Sequence, residues 1–592
     1  MGVGESNLDS MRMLLSFAAL VLAACSSAEG DDAPPGAGAG NAAQGGATGT
    51  GGSTGGTGAT GGSGGSTGKG GTSGSAGSGG AAAAGGGAGK GGGAGKGGGG
   101  ATGGGSGSGA DAGSGGASAS GGSAGEPGGA PSTCQGLTPV ATGAPDQVVG
   151  DGTPESCTPD ALQTAATAGG IITFDCGKAP LTITVSSTVV FTKESVLDGG
   201  GLVTLSGGGS ARILYLDSGY DQTTPRLTVE RLAFREGQSA DAGEDTASGG
   251  GAIYRDGGSL TVIDCDFEDN HAPASGQDLA GGAIYAFGGG ETVISGSTFT
   301  GNSASDGGAV GSLNGDLTII NSVFTGNAAT GTGGNPGDGG AGGALYMDGG
   351  NETTNLCGVV MRDNTAGAIA GGFFRVSNSH DGTFTMDKSI VDGNVVTPTD
   401  DGNAGGMYLE GLALTITAST IAHNQAFYNG GLWISYDDAN LTNVTITENT
   451  AFGSNGAGVW LGHEPTGTML NCTVASNHST ADGQVAGAIF GAGLTLKNTI
   501  ISGNTAQYTP GCDSKHASDG GNLQWPAGAL CSDSPTVADP VLGALGDNGG
   551  PTATLMPAVS SPALGLGTGC PATDQRGEPR GEPCTAGAVE VL

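Results

Sequence analysis

Residues 281–304 read GGAIYAFGGGETVISGSTFTGNSA, and residues 307–329 read GGAVGSLNGDLTIINSVFTGNAA. Both open on two glycines and a small or apolar pair, pass through a run of β-branched residues, and close on a phenylalanine three places before an asparagine. Followed outward, the closing motif recurs at Phe267/Asn270, Phe299/Asn302, Phe324/Asn327, Met361/Asn364, Val391/Asn394, Ile421/Asn424, Ile446/Asn449, Val474/Asn477 and Ile501/Asn504. The opening motif lies between successive copies, at Gly251-Ala252-Ile253, Gly282-Ala283-Ile284, Gly308-Ala309-Val310, Gly343-Ala344-Leu345, Gly372-Phe373-Phe374, Gly406-Met407-Tyr408, Gly431-Leu432-Trp433, Gly458-Val459 and Gly487-Ala488-Ile489. A fixed period of short β-branched segments and Gly-rich turns is the pattern of a solenoid, in which one repeat cannot bury its apolar face alone and needs a neighbour stacked on it.

The asparagine-to-asparagine steps run from 25 to 37 residues, so insertions fall between the motifs. With coils stacked about 4.8 Å apart, eleven or twelve of them make a rod roughly 50–60 Å long. Equivalent asparagines then lie one above another, each amide bonding to the next, so the column Asn270, Asn302, Asn327, Asn364, Asn394, Asn424, Asn449, Asn477 and Asn504 is expected to be structural. Upstream, Thr158 can cap a short helix with Pro159 in its first turn and Ala161, Leu162, Ala165 and Ala166 on one face, ending at Gly169. A helix leading directly into the strand Ile171–Phe174 suits the N-terminal cap of a solenoid.

The paired GGAI and FxxN elements resemble the repeats of chlamydial-type polymorphic outer-membrane proteins, which are right-handed β-helices. The C-terminal stretch DPVLGALGDNGGPTATLMP from Asp539, with TDQRGEPR from Thr573 and GAVE from Gly587, resembles the choice-of-anchor Q domain of bacterial surface proteins. The resemblance covers roughly residues 157–592 and implies an all-β chain, a single right-handed parallel β-helix displayed at a cell surface. It departs from the first family in showing no C-terminal transmembrane barrel, which leaves the anchor to the other end of the chain.

That end begins with Arg12 and an apolar run from Met13 to Ala24, too short to span a bilayer and read as a signal peptide, for which Met11 is the more typical start. It closes on Leu22-Ala23-Ala24-Cys25, which resembles a lipobox, making Cys25 the expected lipid attachment. Ser26 lacks the acidity that retains lipoproteins at the inner membrane, so the expectation is an exported protein on the outer membrane or cell surface. Residues 26–132 are nearly all Gly, Ser, Ala and Thr, as in GGSTGGTGATGGSGGSTGKGG at 51–71, and cannot bury enough apolar surface to offset chain entropy. They read as a disordered tether with a reach of about 55 Å. The expected organisation is therefore signal and lipobox 1–25, tether 26–132, cap and first coils 133–237, repeats 238–510, and a C-terminal cap region 511–592.

Eighteen basic residues against 54 acidic ones give a formal charge of −36, which excludes nucleic acid as a partner. Of the eleven cysteines, Cys265, Cys472 and Cys357 fall within repeats and read as free core residues. Cys265 and Cys472 take a position held elsewhere by Ser297, Ser322, Ser389 and Ser419. Cys134, Cys157 and Cys176 in front and Cys512, Cys531, Cys570 and Cys584 behind lie where an exported chain can use disulfides, Cys512–Cys531 and Cys570–Cys584 being the pairs expected. No Cys or His spacing fits zinc.

One column is not required by the repeat. The residue after Ile253 and its equivalents is Tyr254, Tyr285, Tyr346, Trp460 or Phe490, and elsewhere Gly311, Arg375, Leu409 or Ile434. By strand alternation it faces outward and runs into a turn carrying Asp256, Asp348, Asp381, Glu410, Asp437, Asp438 and Glu464. Two readings stand: an exposed strip that stacks sugars, with Ca2+ bridging the carboxylates, or tyrosines that simply favour strands beside solvating acids. The corresponding functions are an adhesive or structural surface protein, monomeric, with a polysaccharide or cell-surface glycan as partner, and a polysaccharide lyase or hydrolase. The enzymatic reading fares poorly, because a lyase needs a basic residue near a carboxylate–calcium site and this domain has few basic residues in total. Asp437 and Asp438, as strand neighbours, point apart, and His423 reads as a lone solvent-facing histidine; no catalytic residue is assigned.

Overall fold

The computed structural model describes residues 134–240, 248–397, 402–436, 438–453, 456–463, 465–480 and 485–591. Cys25, Asp437, Glu464 and the stretch 26–132 lie outside the described residues.

The chain winds as a single right-handed parallel solenoid of about 12 turns. Each full coil holds four short strands, which in one repeat are Ile284–Phe287, Glu291–Ser295, Thr298–Thr300 and Ser303–Ala304. Strands of the first kind stack into an 11-stranded sheet and those of the last into a 7-stranded one. The middle two kinds form ladders joined into one 26-stranded sheet, because Ser195–Ser206 and Arg226–Arg235 are long enough to pair in both. Helix α1, Pro159–Ala168, closes the first coil: the Thr158 side chain accepts from the Ala161 N–H, and Leu162, Ala165 and Ala166 are buried.

The lumen is filled by columns of like residues. Phe234, Phe267, Phe299 and Phe324 stack with centroids 4.6–4.7 Å apart, the spacing of the coils themselves. Next to them each asparagine of the column is buried. The Oδ1 of Asn327 accepts from both the backbone N–H and the side-chain amide of Asn302, at 3.0 Å each. Its own Nδ2 donates to Phe299 O and to Asn364 Oδ1. The residue before each asparagine is left-handed, as at Asp363 (φ 55°) and Gly301 (φ 66°), and this turns the chain so that the amide points inward. A second, shorter ladder runs through Ser297, Ser322, Ser389 and Ser419, whose hydroxyls accept the N–H of the coil before. Cys265 and Cys472 lie in it as free thiols, pushed by burial up to about 12.

Both ends of the described chain run back along one flank of the rod. Residues 134–146 lie across the early coils: Asn321 Nδ2 donates to Cys134 O, Ser295 Oγ accepts from Leu137 N, and Glu230 Oε2 accepts from Val140 N. From the other end, residues 548–590 fold back over the late coils. Asn498, Asn471 and Asn443 donate to the carbonyls of Thr568, Thr585 and Thr573, and Thr552 Oγ1 donates to Ala418 O. The TDQRGEPR and GAVE motifs form the clasp of this return: Arg576 pairs with Asp574 at 2.8 Å, and Arg580 reaches Glu590 and Asn443 Oδ1. Gln575 is buried against Ser419, Thr420 and Thr445.

Cys512–Cys531 and Cys570–Cys584 are joined, as are Cys157–Cys176 and Cys134–Cys357. The last corrects the expectation that Cys357 is a free core thiol. It follows the buried Leu356, in register with Ile320 and Asp387, and so by strand alternation projects outward to meet the returning N-terminal segment.

Candidate functional site

On the outer face of the 11-stranded sheet, the aromatic column is longer than the motif count indicates. Strand register aligns Tyr215, Tyr254, Tyr285, Gly311, Tyr346, Phe374, Tyr408, Trp433, Trp460 and Phe490. Arg375, Leu409 and Ile434, assigned to this column from the motifs, instead sit one place further on and face the lumen. The cause is a glycine pair that sits one place later: Gly372, Gly406 and Gly431 stand where other coils have alanine, and Ala370, Ala404 and Asn429 stand where those coils have their first glycine, so counting from the glycines slips by one. Phe374, Tyr408 and Trp433 are the functional candidates this slip hides. Buried Arg375 donates to Glu352 O and Thr354 Oγ1, and buried Arg255 to the carbonyls of Gly258 and Gly288.

The column has two halves. In the first, Tyr254, Tyr285 and Tyr346 are at most 3% exposed, which corrects the expectation of an open strip. Gly311 leaves a notch where a ring would stand, and Ala280 fills it, its Cβ 2.4 Å from where a Gly311 Cβ would be. The segment 272–281 thereby lies over the rings, with Asp278 accepting from the Tyr346 hydroxyl at 2.6 Å. The insertion of the longest repeat adds Asn335, which donates to the Tyr346 oxygen and to Asp348. Burial pushes Asp278 up to about 6 and raises Asp348 as well.

In the second half, Tyr408, Trp433, Trp460 and Phe490 are only half-buried. Their centroids are 5.5, 4.6 and 4.5 Å apart in sequence order, with Trp433 and Trp460 within 12° of parallel. In the adjoining turns Tyr436, 44% exposed, stacks on His463 at 3.9 Å and lies 4.8 Å from His380. The Tyr408 hydroxyl donates to Glu410. The arrangement offers flat apolar faces edged by hydroxyl, imidazole and carboxylate groups, the combination that recognises a sugar ring.

The carboxylates do not form a continuous edge. Asp256, Asp348 and Glu410 share the column two places beyond the aromatics, where Phe287, Leu313, Val376, Ser435 and Gly462 interrupt them. Asp381 lies in a turn bonded to Ser379, and Asp438 opens the next strand. Among the described residues the one trio of His, Cys, Asp or Glu that converges tightly is Cys134, Cys357 and Asp387, and its two sulfurs are bonded to each other.

His423 is not the lone histidine its turn position implies. Its Nδ1 meets Asp392 at 2.7 Å and its Nε2 meets Glu448 at 2.8 Å, with Arg362 on the far side of Asp392. The Asp392 hydrogen bond raises the imidazole above its ordinary value.

Residues 227–439 match the family described as right handed beta helix region. The described residues form a right-handed β-helix. Among solved structures, the β-helix is similar to "Crystal structure of pectate lyase Pel9A", at 15% identity and TM-score 0.35, covering 76% of this chain and 98% of that one. It is similar also to PfbA, a surface adhesin of Streptococcus pneumoniae, at 13% identity and TM-score 0.28, covering 69% and 98%. No curated protein matches the sequence.

Proposed function

We propose that this chain is a surface adhesin, lipid-anchored through Cys25, whose β-helix holds a glycan against the half-buried rings Tyr408, Trp433, Trp460 and Phe490. The observation that carries the reading is the change along one column, from rings sealed under insertions to rings that keep exposed surface at near-coil spacing. The lipobox, the Gly-rich stretch and the resemblance to polymorphic outer-membrane protein repeats and the choice-of-anchor Q domain support display at a cell surface. A net charge of −36 favours neutral glycans over uronate polymers. Of the carboxylates considered for Ca2+, Glu410, which accepts from the Tyr408 hydroxyl, lies beside the open rings.

Affinity electrophoresis of the full chain through gels containing neutral polysaccharides or polygalacturonate, with Ca2+ or with chelator, tests this. Retardation by a neutral polymer is expected, and replacing Trp433 and Trp460 together by Ala should weaken it about tenfold or more, from loss of two stacking faces. Mobility identical in every gel would sink the reading, and release of oligosaccharides would make the chain an enzyme.

A further inference from the structure

The last coils carry a second concavity, on a different face from the aromatic column. Along the third strand of successive coils, Thr447, Ala475, Ser502 and Trp525 are in register. Ala475 and Ser502 make a floor beyond the buried Thr447, and at the fourth coil an indole stands up as a wall, 43% exposed. The opposite wall is the C-terminal hairpin Leu542–Gly546 and Thr554–Pro557, which the chain's return along the flank lays beside these coils. Together they enclose a cleft of about 370 Å³ lined by Glu448, Ser476, Ser502, Trp525, Asp539 and Leu542 among others.

The two carboxylates are held in place by groups outside the cleft. One Glu448 oxygen is fixed by His423 Nε2, and Asp539 Oδ1 accepts the Val541 N–H at 2.8 Å. Among the described residues, the second oxygen of each takes no hydrogen bond. Serine hydroxyls at 476 and 502 add donors and acceptors at the floor. A cleft of this size, with one large ring, two pre-set carboxylates and hydroxyls, falls at the small end of ligand sites.

From this geometry we infer a second carbohydrate site, in which Trp525 stacks on the C–H face of a neutral hexose and Glu448 and Asp539 accept from its hydroxyls. An acidic sugar is excluded by the same two carboxylates, which lack a partner cation inside the cleft. A neutral hexose instead gains charge-assisted hydrogen bonds from both. The site stands on observations separate from the aromatic column, so either can fail without the other.

The chain has three tryptophans, and replacing Trp433 and Trp460 by Phe leaves Trp525 as the only indole reporter while weakening the proposed first site. In the full chain so altered, Trp525 emission is titrated with methyl β-glucoside, methyl β-galactoside, methyl α-mannoside and digalacturonate. A saturable change with at least one neutral glycoside and none with digalacturonate is expected. Glu448→Gln and Asp539→Asn, both at exposed positions, should each raise the apparent Kd about tenfold, the worth of one charge-assisted hydrogen bond. No change with any neutral glycoside, an equal response to digalacturonate, or a Kd unmoved by both substitutions would overturn the assignment.

Discussion

At the residue scale the asparagine column shows how a buried polar group specifies register. Each amide inside the column accepts from two groups of the coil before it and donates to at least two more, so a coil shifted by one residue would strand them all. Asn327→Ala removes the hydrogen bonds to Asn302, Phe299 and Asn364 without changing the strands on either side. The expected loss is on the order of 1–3 kcal/mol, read as a lowered denaturant midpoint, and a midpoint equal to wild type would mean the amides are solvated. This column is legible in sequence because a side chain that must bond to its own copy has to recur at one position. The aromatic column is less so, since it is counted from glycines, and in the coils of Phe374, Tyr408 and Trp433 the glycine pair sits one place later, a glycine standing where other coils have alanine. Strand register recovers them because backbone pairing does not depend on which residue fills the turn.

At the scale of elements, the insertions decide which rings are available. Repeat spacing locates the extra residues between the motifs, but nothing in 272–281 or 330–341 says which way a loop will fold. The notch at Gly311 and the hydroxyl of Tyr346 decide it by offering a socket and a partner. Asp278 ties this cover to pH. Its folded value of about 6 lies above its ordinary 3.8, so the stability it contributes is fully present below pH 3.8 and is lost as pH rises through about 6. Hydrogen exchange, corrected for intrinsic rates, should show 272–281 better protected at pH 4.5 than at pH 7.5. Asp278→Asn should raise protection at pH 7.5, where Asp278 is charged, and change it little at pH 4.5. Equal protection of wild type at both pH values would mean the carboxyl titrates normally in solvent.

Across the whole molecule, the two returning segments divide one flank between them, with the turn at Asp387–Lys388 between their reaches. The C-terminal motifs, read as the mark of a terminal cap, prove to be the residues that hold the return in place as far back as Ala418. Sequence could identify them as a unit but not place them, because their partners lie about 115–155 residues away in unrelated repeats. The Cys134–Cys357 link fixes the N-terminal segment in the same way across 223 residues. Cys134→Ser with Cys357→Ser should release residues 134–146, giving new proteolytic cleavage there and a lower Tm, while the far-UV spectrum of the coils stays unchanged. Cleavage elsewhere in the rod would mean the segment is needed to hold the stack.

That link has a mechanical meaning. Cys357 lies in the coil whose first strand, Leu345–Gly349, is the sixth of eleven in its sheet, so the disulfide fixes Cys134 near the midpoint of the rod rather than at a tip. Tension arriving from that side is delivered through a covalent bond into a coil braced by neighbours above and below. It cannot unzip the stack from an open end one rung at a time, and has to shear many rungs at once.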